Sequence, residues 1–124
     1  MNLSAVLAAL HDPARAASNI TILTAGRDRQ FSLEDAACAG RFVRALARRD
    51  ARLELNDAAR AALLLEKRYG RDLQRLFKEA DHARALAGAG FEGDLEICAA
   101  VDAFPVVPVY ADRLITRMGP EPER

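Results

Sequence analysis

The spacing of apolar residues along the chain predicts several helices. Within residues 3–11 the leucines and the valine recur at the i, i+3, i+4 and i+7 positions of one helix face, and Pro13 follows that helix. Ser32 and Asn56 each precede a longer apolar periodic stretch and belong to the residue types that cap helix N-termini. Further helices are therefore predicted over residues 32–49, 56–70, 72–80, 81–90 and 94–101.

Strand signals are few. Residues 19–25 (Asn-Ile-Thr-Ile-Leu-Thr-Ala) form a β-branched run that stops at Gly26, and its continuous apolar character is typical of a central strand covered on both faces. Residues 106–110 with 114–116 predict a last strand or an edge hairpin. Since two or three strands cannot make a self-contained doubly wound sheet, we predict an α/β fold of few strands with flanking helices, whose sheet is incomplete in this chain.

Composition and charge narrow the class of protein. The chain has 124 residues, of which we assign 1–118 to a single domain and 119–124 to a flexible tail. Its 18 Lys and Arg balance 18 Asp and Glu, so no general field favours nucleic acid or acidic membranes. The hydrophobic fraction of 51% is rich in alanine, which predicts a thin core.

The compartment is predicted from the termini and the cysteines. Residues 1–10 are apolar but carry no basic region and end at a polar turn, which argues against a signal peptide or a membrane span. Cys38 and Cys98 stand in apolar surroundings without a Cys-x-x-Cys pair, which argues against a zinc site. We expect a cytoplasmic protein with no membrane or nucleic-acid partner.

Four segments of the chain share their order and spacing with one known family. They are residues 2–6 (Asn-Leu-Ser-Ala-Val), 22–40, 86–98 and 101–109 (Val-Asp-Ala-Phe-Pro-Val-Val-Pro-Val). The segment 22–40 contains an Ala-Gly turn followed by Phe-Ser-Leu-Glu-Asp and Cys-Ala-Gly. Together they resemble the C-terminal half of the 2-phosphosulfolactate phosphatases. The resemblance implies an α/β enzyme that hydrolyses a phosphate monoester on a small sulfonated hydroxy acid and depends on Mg²⁺.

The resemblance also defines what this sequence does not contain. The N-terminal half of the family carries an Asp-x-x-Arg-Ala-Thr-Thr segment after a strand, and that segment is absent here. We therefore expect the site to need a partner, either a separate N-terminal-half polypeptide or a second copy of the chain. The family also tends to place a second glycine between Ala-Gly and Phe-Ser, where this chain has the loop 27–30 (Arg-Asp-Arg-Gln). Arg29 in that loop is bulkier and changes how closely the backbone can approach a ligand.

The candidate site lies where residues 22–40 turn from strand to helix. Gly26, Arg27, Arg29 and Ser32 are the candidate phosphate-binding residues, because a glycine turn before a helix N-terminus leaves N–H groups free for anions and arginine adds charge. The alternative for Gly26 and Ser32 is a structural turn and cap, and for the two arginines a solvated loop.

Glu34 and Asp35 are the candidate Mg²⁺ ligands. Adjacent helical residues point about 100° apart, so the two carboxylates are not expected to chelate one ion together. Asp35 has an alternative role, because a carboxylate three residues after Ser32 can complete a capping box. Complementation of the helix dipole is the alternative for both residues.

Other polar residues are assigned structural roles. Asp94 is as compatible with a helix N-cap as with a functional carboxylate, His82 and His11 lie in no nucleophile–base pattern, and Cys38 is expected to pack on an apolar helix face. Two functional hypotheses remain: a phosphatase half, and a non-catalytic remnant or partner-binding α/β module. They differ in whether hydrolysis appears when the missing half is supplied.

Overall fold

Six helices and one hairpin make up the regular structure of residues 2–11 and 19–119, the part of the chain that the computed structural model describes. This is an α/β fold with few strands, as predicted. None of these helices is both long and apolar enough to cross a membrane. The elements in order are α1 (Leu3–Leu10), α2 (Leu33–Arg49), α3 (Asp57–Tyr69), α4 (Leu73–Glu79), α5 (Asp81–Gly88), α6 (Glu92–Ala99), β1 (Pro108–Ala111) and β2 (Leu114–Arg117).

The chain divides into two compact units. The helical unit is Asn19–Ala99, and the hairpin unit consists of the described residues of Met1–Ser18 and Ala100–Arg124. The assignment of residues 1–118 to one domain stays a prediction. Of the predicted tail, residues 120–124 lie outside the described residues, as does Pro13, which we expected to follow α1.

Helices α2 and α3 form the centre of the helical unit because a glycine lets them approach closely. Gly40 of α2 is buried, and a Cβ placed on it would lie 2.1 Å from the carbonyl oxygen of Ala62 and 2.8 Å from the Cβ of Glu66. Alanine supplies five of the nine buried apolar residues, so the core is thin, as the composition predicts. Those nine are Ala37, Ala39, Val43, Leu46, Ala62, Tyr69, Leu76, Ala80 and Ala83.

Polar side chains fix where the longer helices begin. Ser32, Asn56 and Asp72 each accept a hydrogen bond from the backbone N–H three residues later, at 3.2, 2.9 and 2.9 Å. The predicted capping box at Ser32 is only half formed. The carboxylate of Asp35 accepts instead from the backbone N–H of Gly26, at 2.8 Å, and so ties the preceding loop to the first turn of α2.

The prediction of a strand over residues 19–25 is wrong for this chain. The segment is neither helical nor paired as a strand, and Leu23 is 93% exposed. Within the described ranges the one sheet is the pair β1–β2, which leaves this β-branched segment without neighbours. An apolar run of this kind becomes a strand only when other strands supply hydrogen bonds and a covered face.

The hairpin unit contains the predicted edge hairpin. β1 and β2 pair antiparallel from Pro108 opposite Arg117 to Ala111 opposite Leu114. The two turn residues, 112 and 113, have φ of +50° and +64°. Positive φ at both central positions defines a type I′ turn, whose twist matches that of the flanking strands.

Helix α1 receives its N-terminal cap from a distant residue. Asn2 makes no side-chain capping bond, and its Nδ2 donates instead to the carbonyl oxygen of Val106 at 2.6 Å. The carboxylate of Asp102 accepts from the backbone N–H of Ser4 at 2.7 Å and from its hydroxyl at 2.6 Å. Asp102 therefore supplies the negative charge that favours a helix N-terminus.

Helix α6 begins two residues earlier than predicted. Asp94 is not its N-cap but lies inside the first turn, and the backbone N–H of Asp94 donates to the carbonyl oxygen of Phe91 at 3.1 Å. The helix buries none of its residues. The acidic side chains of its first turn complement the helix dipole, which is a structural role.

Candidate functional site

A cleft of about 350 Å³ lies between the start of α2 and the junction of α4 with α5. We call it the candidate cleft. One wall is the loop that precedes α2 together with the first residues of that helix, and the other wall is the end of α4 and the start of α5. Its lining residues are Arg27, Asp28, Gln30, Phe31, Ser32, Leu33, Glu34, Glu79, Ala80, Asp81 and His82.

The loop that precedes α2 is a tight turn closed by two backbone bonds. Arg27 and Gln30 each donate their N–H to the other's carbonyl oxygen, at 3.2 and 2.7 Å. Asp28 and Arg29 between them have φ of +50° and +63°, which again defines a type I′ turn. Asp tolerates the left-handed region better than Arg does, so Arg29 holds the more strained position.

Arg29→Gly should stabilise the protein by about 1 kcal/mol, because glycine adopts positive φ without the Cβ clash. Part of the gain is offset by the greater freedom of glycine in the unfolded chain. The urea midpoint of the variant, at an unchanged slope, measures the effect. Gln30→Gly is the matched control, since the φ of Gln30 is not positive and the same change there should destabilise. A lower midpoint for Arg29→Gly would contradict the strain assigned to this turn.

Gly26 and Asp35 hold the loop in place. Gly26 has φ of +67°, and a Cβ on it would lie 2.7 Å from the carbonyl oxygen of Gln30. Only glycine fits that position. The hydrogen bond from the Gly26 N–H to the Asp35 carboxylate then fixes the loop against α2. Neither residue lines the candidate cleft, so their contribution to it is to position its wall.

The first turn of α2 offers unpaired donors to the candidate cleft. The backbone N–H groups of Leu33 and Glu34 find no acceptor within residues 2–11 and 19–119, as is usual for the first residues of a helix. Ser32 donates its hydroxyl to the Glu34 carboxylate at 3.0 Å. Arg27 adds a positive charge to the same wall, where its Nε forms an ion pair with the carboxylate of Asp28 at 3.5 Å. Free N–H groups, the helix dipole and a guanidinium favour an anion at this wall.

The opposite wall carries carboxylates that the fold already uses. Glu79 accepts hydrogen bonds from the hydroxyl of Tyr69 and from Nε of Arg75, the latter at 2.8 Å, and these bonds hold the pKa of Glu79 below its usual value. Asp81 is paired with the guanidinium of Arg84. Both carboxylates are thus already engaged within the fold, Glu79 with residues of α3 and α4 and Asp81 with Arg84 of its own helix.

The structure brings some of the predicted site residues together and separates others. Arg27, Ser32 and Glu34 line the candidate cleft, whereas the exposed Arg29 does not. His82 lines the same cleft, although its sequence context predicts no functional role for it. No sequence signal could have placed it there, since its position depends on how α5 packs. Among residues 2–11 and 19–119, no group of three or more His, Cys, Asp or Glu side chains could hold a metal ion.

Cys38 does not have the environment of a nucleophile. Burial raises the pKa of the thiol, and the negative charge of Asp35 raises it further, although the nearby guanidinium of Arg41 acts in the opposite direction. The thiol is therefore protonated at neutral pH, and the thiolate is the reactive form. This agrees with the prediction that Cys38 packs within the fold.

Comparison with known proteins places the chain in a family. The 2-phosphosulpholactate phosphatase family model matches residues 1–113. A probable 2-phosphosulfolactate phosphatase of Pseudothermotoga lettingae is 33% identical over 97% of this chain and 50% of its own length. Proteins of the same name from Thermotoga maritima and Thermosynechococcus vestitus are 36% and 39% identical, over 90% and 79% of this chain and 46% and 42% of their own lengths.

The chain belongs to the 2-phosphosulfolactate phosphatase family. It spans about half the length of the curated relatives that it matches, and the matched half is the C-terminal one. The family resemblance inferred from the four segments is thereby confirmed.

Proposed function

We propose that this chain forms the C-terminal half of a 2-phosphosulfolactate phosphatase and that the candidate cleft binds the phosphate of the substrate. The reaction is hydrolysis of a phosphate monoester on a small sulfonated hydroxy acid. The proposed compartment is the cytoplasm, where the two isolated cysteines would stay reduced. The observation that carries the proposal is the start of α2, where Arg27 and the unpaired N–H groups of Leu33 and Glu34 lie in one cleft. Because the chain belongs to this phosphatase family, we assign hydrolysis of a phosphate monoester to that anion site.

The residues at the start of α2 and in the loop before it have separate tasks in this proposal. The N–H groups at the start of α2 and the guanidinium of Arg27 bind phosphate oxygens, and positive charge at these oxygens stabilises the transferring phosphoryl group. Ser32 keeps the helix start in place through its cap. Gly26 and Asp35 keep the loop in the conformation that presents Arg27.

Glu34 is the proposed Mg²⁺ ligand. It lines the candidate cleft, and one carboxylate suits an ion that usually keeps several waters and shares substrate phosphate oxygens. Asp35 fits this role less well because its carboxylate is bonded to the loop backbone and does not line the cleft. When bound, Mg²⁺ supplies positive charge that offsets the charge on the transferred phosphoryl group.

The proposal includes completion of the site by the part that corresponds to the N-terminal half of the relatives, either as a separate polypeptide or within one chain. Residues 19–25 support this, since they form an apolar β-branched segment with Leu23 almost wholly exposed. Strands of the other half would give this segment hydrogen-bonding neighbours and cover its apolar side chains.

The test is phosphate release from 2-phosphosulfolactate by the purified chain, alone and mixed with the N-terminal half of the Thermotoga maritima relative, with Mg²⁺ or with a chelator. We expect Mg²⁺-dependent activity in the mixture. Arg27→Gln in the mixture should raise KM by roughly tenfold, because a charge-assisted hydrogen bond contributes about 1.5–3 kcal/mol.

Arg49→Gln is the matched control because it removes an arginine from the opposite end of α2, about 25 Å from the cleft for a 17-residue helix. It should change KM less than twofold. Equal effects of the two variants would contradict phosphate binding at the start of α2. Binding of the N-terminal half without hydrolysis would favour the alternative function, a non-catalytic partner-binding module.

A further inference from the structure

His82 lies on the wall of the candidate cleft that faces the start of α2. It is the second residue of α5, and its side chain is exposed to the cleft that Ser32 and Glu34 line from the other side. The backbone around it is fixed by the packing of its neighbours, since Ala80 and Ala83 are 1% and 2% exposed. An exposed imidazole on a fixed backbone can meet a ligand in a reproducible position.

The charges around His82 are mixed and are distributed over every element that lines the cleft. Arg27 and Asp28 belong to the loop, Glu34 to α2, Glu79 to α4 and Asp81 to α5. Glu79 and Asp81 are paired with arginines of their own helices, and Glu34 accepts from Ser32. The imidazole has no such partner within residues 2–11 and 19–119, so nothing in this region competes with a ligand for its ring nitrogens.

We propose that His82 is the general acid that protonates the leaving group when a phosphate monoester is hydrolysed in the candidate cleft. This inference rests on the proposed function and adds a residue to it. Water attacks phosphorus, the bond from phosphorus to the ester oxygen breaks, and its electron pair stays on that oxygen. The imidazolium gives the oxygen a proton, so that the products are an alcohol and inorganic phosphate. A proton from the attacking water then returns to the imidazole through solvent.

The chemistry of the leaving group explains why this proton matters. The leaving group is the alcohol oxygen of the hydroxy acid. An aliphatic alcohol is a weak acid, so its alkoxide leaves slowly unless a proton is delivered as the bond breaks. A nitrophenolate is a stable anion and needs no such proton. The proposed role therefore predicts that loss of His82 affects alkyl phosphates far more than nitrophenyl phosphate. A role in packing predicts no such difference.

The experiment compares wild type and His82→Gln, each mixed with the N-terminal half, on an alkyl phosphate and on 4-nitrophenyl phosphate. We expect kcat on the alkyl ester to fall about 100-fold or more, which is the typical contribution of a general acid, and kcat on the nitrophenyl ester to fall much less. Glu96→Gln, an exposed change on α6 outside the cleft, is the control and should leave both rates unchanged.

Equal losses on the two esters, or no loss on either, would overturn the assignment of His82 while leaving the proposed phosphatase function intact. Hydrolysis of neither ester by the wild-type mixture would instead overturn the proposed function. Titration with inorganic phosphate then decides the placement of His82, by following its ring resonances in NMR spectra. A saturable shift that Arg27→Gln removes supports its place beside the anion, and the absence of a shift overturns it.

Discussion

Replacement of Gly40 by alanine should destabilise the helical unit by about 3 kcal/mol or more, at the upper end of the cost of overpacking. The new Cβ would lie 2.1 Å from the carbonyl oxygen of Ala62, a backbone atom of α3 that cannot rotate away. The helices would have to separate, and each core contact between α2 and α3 would loosen. Urea unfolding followed by far-UV circular dichroism measures the loss.

Gly93→Ala is the control for this prediction. Gly93 is helical and has nothing within 4 Å of an added Cβ, so alanine there should stabilise by about 0.5–1 kcal/mol. The two glycine-to-alanine changes thus have opposite signs, which separates close packing from helix propensity. A stability of Gly40→Ala equal to or above that of the wild type would contradict the close crossing of α2 and α3.

Replacement of Glu66 by alanine should cost about 2–3 kcal/mol. Glu66 is 4% exposed on α3, and its Oε1 lies 2.5 Å from the Nη1 of Arg44 on α2. Removal of one partner of a fully buried pair costs about 3–5 kcal/mol, and we expect less because Arg44 is about one third exposed and can turn toward water. Chemical unfolding of Glu66→Ala, Arg44→Ala and the double variant measures the coupling.

Two further variants make this prediction decisive. Arg52→Ala removes an ion pair with Asp50 in which Arg52 is 91% exposed, and it should leave the unfolding midpoint almost unchanged. Glu66→Met combined with Arg44→Met replaces the buried pair with apolar side chains and should restore most of the stability that Glu66→Ala loses. A cost for Glu66→Ala as small as that for Arg52→Ala would show that the buried pair does not hold α2 to α3.

The sequence was sufficient to predict the elements whose signals are local. Ser32 and Asn56 cap helices because a hydroxyl or amide three residues before a backbone N–H can bond to it whatever the rest of the fold does. The hairpin of β1 and β2 is local for the same reason. Residues 19–25 carry an equally clear strand signal, yet a strand depends on neighbours that can be far away in the sequence, and none of the described residues supplies them.

The candidate site was predictable on one wall and not on the other. Arg27, Ser32 and Glu34 are close in sequence and end in one cleft because a tight turn leads directly into α2. His82 reaches that cleft only because the buried Ala80 and Ala83 seat α5 in the fold. Periodicity indicates that such alanines face a core, but it does not indicate which helix they meet. Asp35 was assigned to metal or capping, and its bond to Gly26 depends on a loop conformation that no spacing encodes.

The cap that Asp102 gives to α1 has a consequence for the order of synthesis. The bond joins Ser4 to a residue 98 positions later in the chain. At about 5–20 residues per second, α1 leaves the ribosome roughly 5–20 seconds before its cap does. An eight-residue helix is too short to persist alone in water. The contiguous segment 19–99 can therefore fold first, and α1 becomes ordered only after the ribosome has released the residues that hold its end.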